Sequence, residues 1–112
     1  MCVNNNYNNY YSLSQYNVEN LPENITHLLI DINQPLEQLP NTVTHIIMLD
    51  CGFDYNLDNL PNSIKEIIIS DDYNLPIDNL PNSVERIRIG KNFNQTIKKL
   101  PNSIKSFQFG MF

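Results

Sequence analysis

Leu60-Pro61-Asn62-Ser63-Ile64-Lys65-Glu66-Ile67-Ile68-Ile69 decides the fold, because the segment returns along the chain. Leu80-Pro81-Asn82-Ser83-Val84 and Leu100-Pro101-Asn102-Ser103-Ile104 repeat its opening. Leu39-Pro40-Asn41-Thr42-Val43 and Leu21-Pro22-Glu23-Asn24-Ile25 are looser copies. The Leu-Pro pairs that open these five copies lie 18, 21, 20 and 20 residues apart. A nearly fixed period of this length marks an architecture of stacked repeats.

Aligned on Leu-Pro, six columns are apolar in nearly every copy: those of Leu60, Ile64, Ile67, Ile69, Tyr73 and Ile77. The period-2 pair at the centre of each unit, such as Ile67 and Ile69, predicts a short strand with both side chains turned inward. One unit cannot bury that side by itself, so units must stack, one parallel strand per rung. Pro followed by Asn-Ser suits a turn, with Pro presetting φ and Asn tolerating the tight position after it. A unit of about twenty residues with a strand and two turns leaves no room for a helix. The expected fold is therefore mainly β, a solenoid with an irregular or 3₁₀ outer side. The absence of Ala and the abundance of Ile agree with this.

A chain of 112 residues bounds one domain. Residues 1–20, rich in Asn and Tyr, are a candidate cap, and residues 21–112 form a solenoid of about five repeats. The excess of Asn and Ile reads as a bias of genomic composition. Cys2 and Cys51 fit neither a metal-ligand spacing nor a disulfide framework, and read as reduced thiols. The start has no basic region followed by an apolar run, and no stretch is long and apolar enough to span a bilayer. The expected location is the cytoplasm. The net charge of −5 hides an asymmetry: residues 1–80 hold eleven of the twelve acidic residues and one basic residue, Lys65. Arg86, Arg88, Lys91, Lys98, Lys99 and Lys105 follow, against Glu85 alone.

Tyr73-Asn74-Leu75-Pro76-Ile77, Phe93-Asn94-Gln95-Thr96-Ile97 and Ile32-Asn33-Gln34-Pro35-Leu36 resemble the motif that names the FNIP repeat. The Leu-Pro-Asn-Ser-Ile elements resemble the rest of its consensus, over roughly residues 21–110. Phe53-Asp54-Tyr55-Asn56-Leu57 departs, with Asp for Asn and one residue inserted ahead of it. The resemblance implies a leucine-rich-repeat-like solenoid and an interaction role, with no catalytic residues. The family occurs mostly in social amoebae and in giant DNA viruses of amoebae, so a viral source would place the chain in host cytoplasm. Residues 1–20 are too short and too polar for the F-box that some members carry, and a ubiquitin-ligase role is not inferred.

With Ile67 and Ile69 inward, the alternate strand residues form three columns on the concave face. The first is His27, His45, Glu66, Arg86 and Ser106; the second is Leu29, Ile47, Ile68, Arg88 and Gln108. The third is Asp31, Leu49, Ser70, Gly90 and Gly110. Leu29, Ile47 and Ile68, joined by Leu49, would make an exposed apolar stripe, the expected protein-binding site together with Arg86 and Arg88. Against this, the N-terminal segment, with Tyr7, Tyr10, Tyr11, Leu13 and Tyr16, could fold back over the stripe. His27, His45 and Glu66 are two His and one Glu on successive rungs, a donor set that zinc accepts, but rim polarity explains them equally well and no metal is expected. No cofactor and no enzymatic activity are expected either, since Gly52, Gly90 and Gly110 are scattered and no nucleophile elbow occurs. Asn24-Ile25-Thr26 and Asn94-Gln95-Thr96 match the glycosylation sequon by chance.

Two other readings are kept. The chain could be a structural or decayed repeat without a specific partner. The basic C-terminal third, with Phe107 and Phe109 nearby, could hold nucleic acid, although overall acidity opposes this. The last inward surface, of Ile104, Phe107 and Phe109, lacks a cap, so self-association through that end is expected, head to tail so that basic meets acidic.

Overall fold

The computed structural model describes residues 10–14 and 20–109. They form one six-stranded sheet of β1 (Tyr10–Ser12), β2 (His27–Ile30), β3 (His45–Met48), β4 (Glu66–Ile68), β5 (Arg86–Ile89) and β6 (Ser106–Phe109). The strands lie in chain order and each pair is parallel. Parallel neighbours joined by a single turn of chain each make a solenoid, and among the described residues the return path is turns and irregular segments. No described helix is long and apolar enough to cross a membrane.

The apolar columns all turn inward. Ile25, Val43, Ile64 and Val84 are fully buried, as are Leu28, Ile46, Ile67 and Ile87. Phe53 and Tyr73 stack with ring centroids 6.0 Å apart beneath the return path. The Tyr73 hydroxyl donates to the Tyr55 carbonyl at 3.0 Å, and burial holds its pKa well above the ordinary tyrosine value.

Each Leu-Pro element is a turn, built differently from the expectation. The Pro carbonyl accepts the N–H three residues on, at 3.2–3.3 Å: Ile25 from Pro22, Val43 from Pro40, Ile64 from Pro61, Val84 from Pro81, Ile104 from Pro101. Pro thus opens the turn as acceptor, and Asn-Ser occupies its centre. The Ser then reaches back one rung: Ser63 Oγ donates to the Val43 carbonyl at 2.7 Å, and Ser103 Oγ to Val84 at the same distance. Just before each strand one carbonyl takes two successive N–H groups of the next rung, as Thr44 does from Lys65 at 2.7 Å and Glu66 at 3.2 Å.

Asn and Asp side chains hold the opposite corner. Asp50 Oδ1 accepts from Asp71 N–H at 2.9 Å, and Asp71 Oδ1 from Lys91 N–H at 3.0 Å. Asn33 Oδ1 accepts from Asp54 N–H, Asn74 Oδ1 from Asn94 N–H and Asp78 Oδ1 from Lys98 N–H, at 2.8–3.0 Å. These donors sit on the turns, where no strand partner is available, and each is met by a carboxylate or carboxamide one rung earlier. The Asn surplus is therefore partly structural rather than compositional.

The third outward column is closed at Asp31, Ser70 and Gly90, contrary to its expected exposure, and Leu49 alone among its described members is half-buried. Asp31 and Ser70 are buried, and Gly90 lies so close to the preceding rung that a Cβ there would sit 2.1 Å from the Ser70 carbonyl oxygen. Gly110 lies outside the described residues. The inserted residue near Asp54 is absorbed at Gly52, whose φ of 77° is in the left-handed region. Asp54 keeps its place in the Asn column through its bond to Asn33.

Candidate protein-binding face

The outward columns form as registered. His27 pairs with His45, His45 with Glu66, Glu66 with Arg86, and Arg86 with Ser106. Beside them run Leu29, Ile47, Ile68, Arg88 and Gln108. Parallel pairing sets column neighbours about 4.8 Å apart, so each column is a continuous line of touching side chains.

That closeness alters the expected apolar stripe. Leu29 is 6% exposed and Ile47 9%, so neither offers an open surface, whereas Ile68 and Leu49 are half-buried. Bulky neighbours in register shield one another, and only the C-terminal part of the stripe remains accessible. A shallow groove runs there between Leu49 and Ile68, floored by Met48 and Ile69 and rimmed by Asp50 and Asp71. A second lies between Glu66, Arg86, Arg88, Ser106 and Gln108.

The N-terminal segment meets the sheet in a way that the sequence reading missed. Tyr10–Ser12 add a strand in register with β2, instead of folding over the open face. Leu13 then enters the core at 1% exposure. Ser14 anchors the corner, its N–H and Oγ donating to the two Asp31 carboxylate oxygens at 2.9 and 2.6 Å, which satisfies a buried charge. The signal was present: Tyr11 and Leu13 stand 17 residues before Leu28 and Ile30, close to the next spacing of 18. Tyr7, Tyr16 and Cys2 lie outside the described residues. Cys51 is half-buried, its Sγ directed to the carbonyls of Ile30 and Leu49.

The first column is an electrostatic ladder. His27 and His45 stack with centroids 4.3 Å apart and planes 10° from parallel. His45 Nε2 lies 3.6 Å from Glu66 Oε1, and Glu66 Oε2 is 3.4 Å from Arg86 Nε. Burial lowers the His45 pKa, the His27 and Arg86 charges lower it further, and Glu66 opposes them. Glu85 sits between Lys65 at 3.8 Å and Lys105 at 3.6 Å, and also reaches Arg86 at 3.9 Å. Arg88 donates from Nε and Nη2 to Gln108 Oε1 at 3.2 and 3.1 Å.

The stack sets the imidazoles face to face rather than converging on one point, and no described group of three His, Cys, Asp or Glu side chains is placed to hold a metal ion. The basic residues divide among four stretches: Arg86 and Arg88 on a strand, Lys91 in the turn after it, Lys98 and Lys99 on the return path, and Lys105 just before β6. Arg86 and Lys105 are partnered by carboxylates. Phe107 is half-buried inward, and Phe109 is 67% exposed at the last rung.

No curated protein matches the chain. The FNIP Repeat family model matches it three times, over residues 17–51, 53–92 and 75–112. With the Asn column, the Leu-Pro turns and strands β2 to β6 all falling within those repeats, the chain belongs to the FNIP-repeat family.

Proposed function

We propose that the chain is a protein-binding module whose partner seats on the open face of the sheet. The observation that carries this reading is the pairing, in register, of an apolar column with a charged one, leaving Ile68 and Leu49 accessible beside Arg86 and Arg88. Apolar contact there supplies affinity and the arginines supply orientation. Leu29 and Ile47 support the site from below the surface. The reading requires no catalysis and no cofactor.

The test is co-purification from a lysate of the source cell, comparing wild type with Ile68→Asp and Arg88→Glu. Ile47 is not substituted, because an Asp at a buried position would unfold the chain. A protein retained by wild type and lost by both variants, at unchanged melting temperature, supports the reading. Equal retention by all three overturns it. Capture of nothing favours the alternative, a structural repeat without a specific partner.

Phe109 favours a second, compatible reading: self-association through the last rung. Its exposed ring and the outer edge of β6, which has no strand partner among the described residues, offer apolar area and strand hydrogen bonds to another copy. Light scattering at low salt tests it, and a monomer at high concentration overturns it. Nucleic-acid binding has weaker support, since two of the six C-terminal cations are already partnered by carboxylates.

A further inference from the structure

Both histidines of the chain meet in one contact. His27 on β2 and His45 on β3 are register partners, and their rings stack at 4.3 Å. Each ring is oriented on its Nδ1 side by the hydroxyl of the preceding threonine, Thr26 or Thr44, at 2.8 Å. The same Thr-His pair is thus repeated on two rungs, and the stack belongs to the fold rather than to a chance rotamer.

Neutral imidazoles tolerate face-to-face packing, whereas two imidazolium cations at this separation repel through a partly dry contact. We propose that the stacked His27–His45 pair is an acid-sensitive joint between β2 and β3, closed while at least one ring is neutral and loosened when both are protonated. The charged groups facing the pair come from the next two strands. Glu66 on β4 reaches His45 and favours its protonation, but it is shared with Arg86 on β5, which opposes it. On the other side the register partner of His27 is Tyr10 of β1.

The linkage runs in one direction. The His45 pKa is lowered by burial and then by His27, so the folded protein binds fewer protons than the unfolded chain. This contribution to stability is complete above the unfolded value of about 6.5 and is lost as pH falls through the folded value. Carboxylates titrate at about 4 and lysines at about 10, so from about pH 7 to about pH 5 the pair dominates side-chain titration.

The experiment combines an NMR titration of the imidazole resonances with thermal unfolding of the whole chain between about pH 7.5 and about pH 5. His45 is expected to titrate below the ordinary histidine value, with a fall in melting temperature of about 3–6 °C. In His27→Gln, His45 should titrate at higher pH than in wild type, and the fall should at least halve. His45→Gln, in which the fall in melting temperature should likewise at least halve, keeps the test decisive should the first variant fail to fold. A His45 step at or above the ordinary histidine value, or an undiminished fall in the variants, overturns the proposal. The measurement uses the isolated chain, so its failure and failure of the binding reading are distinguishable.

Discussion

Ile69 and Phe109 stand in the same inward column, yet Ile69 is fully buried and Phe109 is 67% exposed. Their sequence contexts are alike, each two residues beyond another inward apolar side chain and each after a Leu-Pro turn. The difference lies in their neighbours. Rungs cover Ile69 on both sides, whereas among the described residues β6 has a strand partner on one side only. In a solenoid the motif therefore encodes direction, and the adjacent rung supplies burial.

The strongest way to break this comparison is to truncate both residues. Ile69→Ala should cost about 2–4 kcal/mol in denaturant unfolding, and Phe109→Ala less than about 1 kcal/mol despite losing the larger side chain. Equal costs would mean that Phe109 is covered in solution, which self-association would produce.

A second test contrasts the two described glycines. Gly90→Ala drives a Cβ against the Ser70 backbone and should cost about 2 kcal/mol or more, since neither rung can retreat without breaking its ladder. Gly52→Ala meets no atom within 4 Å and bears only the strain of φ 77°, about 1 kcal/mol. Melting temperatures that fall in the reverse order would show that rung spacing is soft.

The corner bonds should separate by smaller amounts. Asn74 accepts from Asn94 N–H at 3.0 Å and from Gln95 Nε2 at 3.2 Å, and donates to Asn94 Oδ1 at 2.9 Å. Asn74→Ala should cost about 1–2 kcal/mol and speed amide exchange at Asn94, whereas Asn94→Ala, one rung nearer the open end, should cost about half as much. The smallest effect is expected at Glu85, which joins Lys65, Arg86 and Lys105 on a wet surface. Glu85→Gln should cost less than about 1 kcal/mol at low salt and almost nothing at about 1 M.

Much of the candidate face was legible in advance. The period-2 pairs located β2 to β6, and alignment of the Leu-Pro elements placed His27, His45, Glu66 and Arg86 in one column and Leu29, Ile47, Ile68 and Arg88 in the next. Three features were not. β1 lacks a Leu-Pro element and was hidden by the Asn and Tyr around it. The burial of Leu29 and Ile47 depends on side-chain bulk in adjoining strands, which alternation does not count. The bonds that Asn33, Asn74 and Asp78 accept from the next rung were not foreseen, because each spans about twenty residues and leaves no local trace.

The sequence by itself determined the solenoid, the parallel sheet and the inward or outward direction of each strand side chain, because a repeated period-2 pattern has one stacking that buries every apolar column. Only the tertiary structure decided which outward residues remain accessible, that two histidines share a stack, and that Gly90 must lack a side chain. Those properties arise from distances between rungs. Packing of neighbouring backbones sets those distances, whatever pattern each repeat carries.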